Sequence, residues 1–374
     1  MNKILVYFPY PLRDAKSGSA VRPRKMIAAF REYADINGFE LIEIYGDSKE
    51  RKRKIKEFKS KVNPKDVLMC YMENATIPLW LTDNDHIPRN PFLDLSFLKY
   101  LQKHKIPLGI FYRDAYWLFD DEYPVKGIKK AVMKTIFRIE KKVFEKYSER
   151  IYLPSIEMNR HLGFTSHKVA GLPPGSEKNF LYDTKLNNKS LLNMIYVGAI
   201  SEKMGLSNLL NAIRLVNESE VSCKLLLVCR EEDYNFYKQD IINLENLGLV
   251  EVRHAFGEEL YSLYENMDIA IIPREKNVYN DFAVPVKLFE YLSFGLPVVA
   301  TDNDAVANII NAGLYGLIVK SNPKDLSDGI IKMGNRELRV NIKENILKDV
   351  PKKHLWIHRA EKVVNELSKA KSAQ

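Results

Sequence analysis

The sequence predicts an α/β protein made of two doubly wound domains, and three observations carry that prediction. At 374 residues the chain is longer than one hydrophobic core usually serves, so two domains are expected. Short apolar runs alternate with helical stretches along both halves, the arrangement that gives a mostly parallel sheet with crossover helices. Between the halves, residues 171–193, "GLPPGSEKNFLYDTKLNNKSLLN", are rich in Gly, Pro and Asn and lack periodicity, so they are read as a linker. The expected domains are 1–175 and 176–354, with a helix over 355–370 returning to the first.

Taken in order, the strand runs of the first half are "KILVYF", "ELIEIYG", "DVLMCYM", "PLGIFYRD" and "RIYLPS". Those of the second are "MIYVGAI", "CKLLLVCR", "VEVRHAF", "IAIIP", "PVVAT" and "YGLIVK". In sheets of this kind ligands sit off the carboxyl ends of the strands, so the loops after each run, facing a cleft between the domains, are where chemistry is expected. The opening "MNKILVYFPY" is read as a first strand and not a signal peptide, and no apolar stretch is long enough to span a bilayer. Cys70, Cys223 and Cys229 lie in apolar strand runs without a C-x-x-C spacing, which suits reduced core thiols in a cytosolic protein.

The net charge of +9 is unevenly held. Residues 1–175 carry 32 Lys and Arg against 21 Asp and Glu, whereas the remainder carries 25 against 27. Two segments hold most of the excess, 49–61 and 126–147. In the second, Ile128, Val132, Ile136, Ile139, Val143 and Tyr147 recur at three or four, with lysines between them. That spacing predicts an amphipathic basic helix whose apolar face packs on its own sheet, with contact to an anionic membrane surface as the other reading. The last stretch is also helical, with Leu355, His358, Val363 and Leu367 near one face.

Four strand-end loops carry candidate chemistry. The first strand leads to "SGSAVRPRKM", where Gly18 allows close backbone approach and Arg22 and Arg24 suit a phosphate or carboxylate. It is neither G-x-G-x-x-G nor a Walker loop. The run "FYRDAYWLFDDEYP" puts Arg113 and Asp114 at a strand end beside Tyr116 and Trp117, a setting for sugar stacking and hydroxyl contacts or for an Arg–Asp loop lock. In "YVGAISEKMGLSNLLNAI" the strand ends at Gly198, and Lys203 and Gly205 precede a helix.

The fourth loop opens "VPVKLFEYLSFGLPVVATD". Pro285 suits the first helical position, Leu288, Phe289 and Leu292 form one buried stripe, and Gly295 with Pro297 supplies a stop. Lys287 then falls in the first turn, where the helix dipole disfavours a cation unless an anion such as phosphate is bound. With Lys203 it makes two cations at helix starts of one sheet, a match for a pyrophosphate. Glu290, three residues on, can accept two ribose hydroxyls or pair with Lys287 at i, i+3. Asp-Asn-Asp occurs at 83–85 and 302–304, but Asp304 is better placed as a helix cap, and no metal is expected.

Together, "VPVKLFEYLSFGLPVVATD", "YVGAISEKMGL" and "ELYSLYENMDIAIIP" resemble the donor domain of GT-B fold glycosyltransferases, in particular the bacterial group related to the retaining family 4 enzymes. The resemblance is strong over about 193–335 and looser over 1–175. It implies two Rossmann-like domains facing across a cleft, with the nucleotide sugar held by the second and the acceptor by the first. In that group a Glu-x7-Glu pair brackets the donor. Glu290 matches the second Glu, which holds the ribose; the first falls at Phe282; the backbone of Ala283 and Val284 lies between them, where the distal phosphate is bound. Lys203 matches the usual lysine, Ala199 replaces the usual arginine, and Arg113 stands where many relatives carry a histidine.

The implied function is transfer of a sugar, from a UDP-sugar as substrate and with no separate cofactor, to a glycan or lipid-linked acceptor in bacterial polysaccharide or envelope synthesis. The site would be cytoplasmic, on the inner face of the membrane through 126–147. With retention, the leaving phosphate takes the acceptor proton; with inversion, Asp114 is the base. The competing readings are a UDP-sugar 2-epimerase, which lacks an evident acid/base pair, and a non-enzymatic basic membrane- or nucleic-acid-binding protein, which leaves the Lys287/Glu290 helix unexplained and has no nucleic-acid motif.

Overall fold

The computed structural model describes residues 2–12, 18–179 and 191–372. The chain divides into two compact units, Met1–Pro174 with Trp356–Gln374, and Gly175–Leu355.

The first unit runs β1 (Lys3–Phe8), α1 (Gly18–Asn37), β2 (Glu40–Tyr45), α2 (Ser48–Lys61), β3 (Val67–Glu73), α3 (Leu93–Lys103), β4 (Leu108–Phe111), α4 (Gly127–Tyr147), β5 (Arg150–Leu153), α5 (Asn159–Leu162) and β6 (Val169–Gly171). Its strands form one parallel sheet in the order β2-β1-β3-β4-β5-β6. The central strands are buried along nearly their whole length, as helices on both faces require, which is why they are near-continuous apolar runs. Residues 171–193 do not behave as one linker: Gly171 ends β6, which pairs with β5, and Leu191 already begins the next strand. Residues 180–190 lie outside the described residues.

Helix α4 differs from the expected orientation. Its buried positions are Phe137, Glu140 and Phe144, while Ile128, Val132 and Ile139 are 86, 52 and 49% exposed. The aromatic side chains set the phase: Phe137 stacks on Trp117 at 5.1 Å and 8°, and Phe144 meets Tyr112 edge-on at 6.1 Å. Rings bury more apolar area than the aliphatic side chains that share the same spacing.

The second unit runs β7 (Leu191–Val197), α6 (Leu206–Asn217), β8 (Ser222–Val228), α7 (Glu231–Asn246), β9 (Val250–Arg253), α8 (Glu259–Tyr264), β10 (Ile269–Ile272), α9 (Val286–Ser293), β11 (Val298–Thr301), α10 (Asp304–Gly313), β12 (Gly316–Val319), α11 (Pro323–Met333) and α12 (Arg336–Lys353). The parallel order is β12-β11-β10-β7-β8-β9, so the direction of winding reverses between β7 and β10. Pro285 is the N-cap of α9 and not its first residue, and Asn303, not Asp304, holds that place on α10. In each case the residue expected inside or at the cap is displaced by one position. The last helix, α13 (Trp356–Ser372), belongs to the first unit, where Trp356, Val363, Val364 and Leu367 join the core of β1, β3 and α1.

Glu140 gives this fold a pH dependence. Its Oε2 accepts the Leu79 amide at 2.7 Å, and burial pushes its carboxyl from 4.5 up to about 8. Between these values the folded chain holds a proton that the unfolded chain releases, so stability falls as pH rises from about 4.5 to 8. Glu140→Gln removes the titration, and in thermal melts the variant should gain on the parent as pH rises from 5 to 8, by at least about 1 kcal/mol. A constant difference across that range would refute the assignment.

Candidate active site

In the second unit the reversal places the loop after β7 beside the loop after β10. Two hydrogen bonds join them: the Glu275 amide donates to the Lys203 carbonyl at 3.3 Å, and Asn280 Nδ2 donates to the same carbonyl at 3.1 Å and to Glu275 O at 2.8 Å. Gly205 makes their close approach possible. Its φ is +81°, and a Cβ there would lie 1.7 Å from the Pro273 carbonyl oxygen. Lys203 sits in the short turn before it with its side chain exposed.

Helix α9 is tied to the end of β7 by the Val197 amide, which donates to Tyr291 Oη at 2.8 Å. On its outer side Lys287 Nζ reaches both Glu290 oxygens at 2.8 Å, and Tyr264 Oη donates to Glu290 Oε1 at 2.8 Å. Tyr264 is fully buried, and burial, then the Glu290 charge, holds its hydroxyl well above the usual range, so it remains a donor. The cation in the first turn is therefore offset by a carboxylate one turn on. The amides of Val286 and Lys287 lack intrahelical carbonyls, as at any helix start, and present donors at the positive end of the dipole.

The residues ahead of the helix are more committed. Phe282 is buried with its ring edge-on to Tyr279 at 5.2 Å, and the Ala283 amide donates to Asn280 O at 3.2 Å, which removes that amide from the set of phosphate donors. Val284 packs against the core of the unit.

At the carboxyl end of the first unit's sheet, Arg113 is held by a carboxylate that the sequence reading missed. Its guanidinium pairs with Glu73 at the end of β3 and donates to Tyr10 Oη at 2.6 Å, while its amide donates to Asn74 Oδ1 at 2.8 Å. Arg22 lies 3.4 Å from the other Glu73 oxygen and 3.6 Å above the Phe111 ring. Burial opposes the Arg113 charge, but Tyr10 and Glu73 outweigh it and raise its pKa. Asp114 instead forms a local turn, its Oδ1 accepting the Tyr116 amide at 3.1 Å.

The aromatic residues of this loop are engaged within the unit. Trp117 is buried and donates to Tyr112 Oη at 2.9 Å, and Tyr116 Oη donates to Thr76 O at 2.7 Å. Gly18 is the first residue of α1, and residues 13–17 before it lie outside the described residues. Both Asp-Asn-Asp runs have structural partners: Asp83 accepts from the Ser48 amide and hydroxyl at 2.6 Å, Asp85 pairs with Arg89, and Asp304 pairs with Lys276 at 3.1 Å. The signal for Glu73 was present, since it too is a carboxylate at the end of an apolar strand run. Tyr264 and Asn280 carry no signal, because only the folded chain brings them to their partners.

Residues 182–349 match the family described as Glycosyl transferases group 1. Over 187 residues the chain is 26% identical to the capsular polysaccharide biosynthesis glycosyltransferase CapM of Staphylococcus aureus, covering 47% of each. Over 87 residues it is 30% identical to the putative teichuronic acid biosynthesis glycosyltransferase TuaH of Bacillus subtilis, covering 23% of this chain and 21% of that one. The chain thus spans less than half the length of either relative. The structure of HepE from Anabaena in complex with UDP superposes on 99% of this chain and 100% of its own, with a TM-score of 0.65 at 12% identity. The fold is GT-B.

Within the matched stretch, Lys203 stands in the short turn after β7, and Lys287 and Glu290 stand on α9, the helix after β10, next to the winding reversal. Gly205 holds that arrangement. Gly205→Ala places a methyl against backbone at a positive φ, and we expect a loss of about 2–4 kcal/mol in denaturant unfolding. A loss under about 0.5 kcal/mol would show that the two loops are not locked at this point.

Proposed function

We propose that the chain is a glycosyltransferase that moves a sugar from a UDP-sugar to a glycan or lipid-linked acceptor, in the synthesis of a bacterial polysaccharide or envelope glycan. The observation that carries this reading is the Lys287–Glu290–Tyr264 constellation at the winding reversal of a group 1 domain. A carboxylate held in a fixed plane suits a ribose, and the cations with the α9 helix end suit a diphosphate. The relatives named for capsular and teichuronic acid biosynthesis support the acceptor class, and the UDP complex of HepE supports the base. Inorganic cofactor chemistry has no part in this reading.

In the retaining course the leaving phosphate accepts the proton of the acceptor hydroxyl as the glycosidic bond forms. Lys203, Lys287 and the amides of α9 stabilise the charge that develops on it. Asp114, with Oδ1 fixed by the Tyr116 amide, positions the acceptor, and Arg113 is set by Glu73 to support the same loop. Asp114→Asn should then lower turnover about 10- to 100-fold while leaving UDP affinity unchanged. Product of inverted anomeric configuration would make Asp114 the base instead, and nearly full turnover in the variant would leave it only a turn former.

The acceptor side bears on the membrane. Helix α4 exposes Ile128, Val132 and Ile139, interleaved with Lys129, Arg138, Lys142 and Lys146. Aliphatic side chains ringed by cations suit the headgroup boundary of an anionic bilayer. Among the described residues no helix is long and apolar enough to cross a membrane; the docking we propose is by the exposed face of α4, at the cytoplasmic surface. The protein should co-sediment with phosphatidylglycerol vesicles at low salt, and Ile128→Asp with Ile139→Asp should abolish this without loss of melting temperature. Absence of co-sedimentation at low salt would end the idea.

A further inference from the structure

The Lys287–Glu290 pair has a property that neither residue shows alone. A carboxylate offers about four lone-pair positions. In this structure Lys287 occupies one on each Glu290 oxygen and Tyr264 occupies another on Oε1, which leaves one. Two ribose hydroxyls need two acceptors. A ribose therefore cannot bind Glu290 in bidentate fashion while Lys287 holds both oxygens. By the same count Lys287 has three donors, of which Glu290 takes two. A diphosphate oxygen cluster meets an ammonium already largely spoken for.

Resting on the donor reading above, we propose that Lys287 and Glu290 form an exchange pair that couples the two halves of the nucleotide. A diphosphate draws Lys287 away and frees Glu290 for the ribose; a ribose on Glu290 frees Lys287 for the diphosphate. Each half alone leaves one partner stranded, whereas the whole nucleotide satisfies both. Tyr264 is the positioning residue of this device. Buried against Tyr291 and Phe294, it keeps Oε1 in place when the lysine leaves. Its hydroxyl cannot follow the ligand, because its ring is fixed in the core.

Linkage makes the coupling measurable in the unmodified protein: if pyrophosphate raises uridine affinity by some factor, uridine raises pyrophosphate affinity by the same factor. Calorimetric titration of uridine with and without saturating inorganic pyrophosphate should give tighter binding in its presence, by about two- to fivefold, the range expected of a partly exposed ion pair. The variants should show reversed signs. Lys287→Ala should weaken UDP but tighten uridine, Glu290→Gln should weaken uridine but tighten pyrophosphate, and both should abolish the cooperativity. Tyr264→Phe should narrow the preference for uridine over 2′-deoxyuridine while pyrophosphate affinity stays the same. Tight UDP binding with independent or competing uridine and pyrophosphate would overturn the exchange pair and leave the donor reading standing. No UDP binding would overturn both. A Tyr264→Phe variant with unchanged ribose preference would reduce Tyr264 to a core residue and remove it from the device.

Discussion

The candidate site depends on one constraint, the adjacency of β7 and β10. Parallel winding proceeds in one direction from β7 to β9 and in the other from β10 to β12, so the loops leaving these two strands diverge from a common line. Hydrogen bonds from Asn280 and Glu275 to the Lys203 carbonyl close that line, and Gly205 lets the backbones touch. Tyr291 ties α9 to the last residue of β7. Remove the adjacency, and Lys203 and Lys287 are two unrelated surface lysines 84 positions apart in the sequence.

Buried charge organises the other unit. Glu73 is inaccessible and faces two guanidinium groups, Arg22 and Arg113, with Tyr71 donating to it at 3.0 Å. A second cluster joins Arg51, Asp94, Thr82 and Tyr7. Removing one partner from such a cluster leaves an uncompensated charge, which costs far more than the pair contributes. These clusters explain part of the basic excess of the first half: Arg51, in the most lysine-rich segment, is a core residue and not a surface contact. The excess that does face solvent is concentrated on α4 and the remainder of α2.

Helix α4 shows how one spacing can serve two purposes. Its aromatic side chains Phe137 and Phe144 bind it to the unit, and Ile128, Val132 and Ile139, at nearly the same period, are left outside among basic residues. The pattern in the sequence is compatible with either face being inward, because positions three and four apart recur on every side of a helix. Trp117 and Tyr112, contributed by other elements, decide between them.

The alternation of strand and helix, the eleven strand runs and the lysine and glutamate of α9 were all legible in the sequence, because backbone periodicity and helix-end chemistry are local properties. The same locality explains why cap positions were displaced by a single residue, at Pro285 and Asn303, where neighbouring residues compete for one place. The three-residue strand β6 is not legible in the sequence, because it is too short to show a period and is stabilised by its pairing with β5. What only the tertiary structure decided are partnerships across sequence distance: Glu73 with Arg113, Tyr264 with Glu290, and Asn280 with Lys203. A charge or hydroxyl in the sequence states what it can bind. Strand order, which follows from how whole sheets bury their faces, determines which partner it meets.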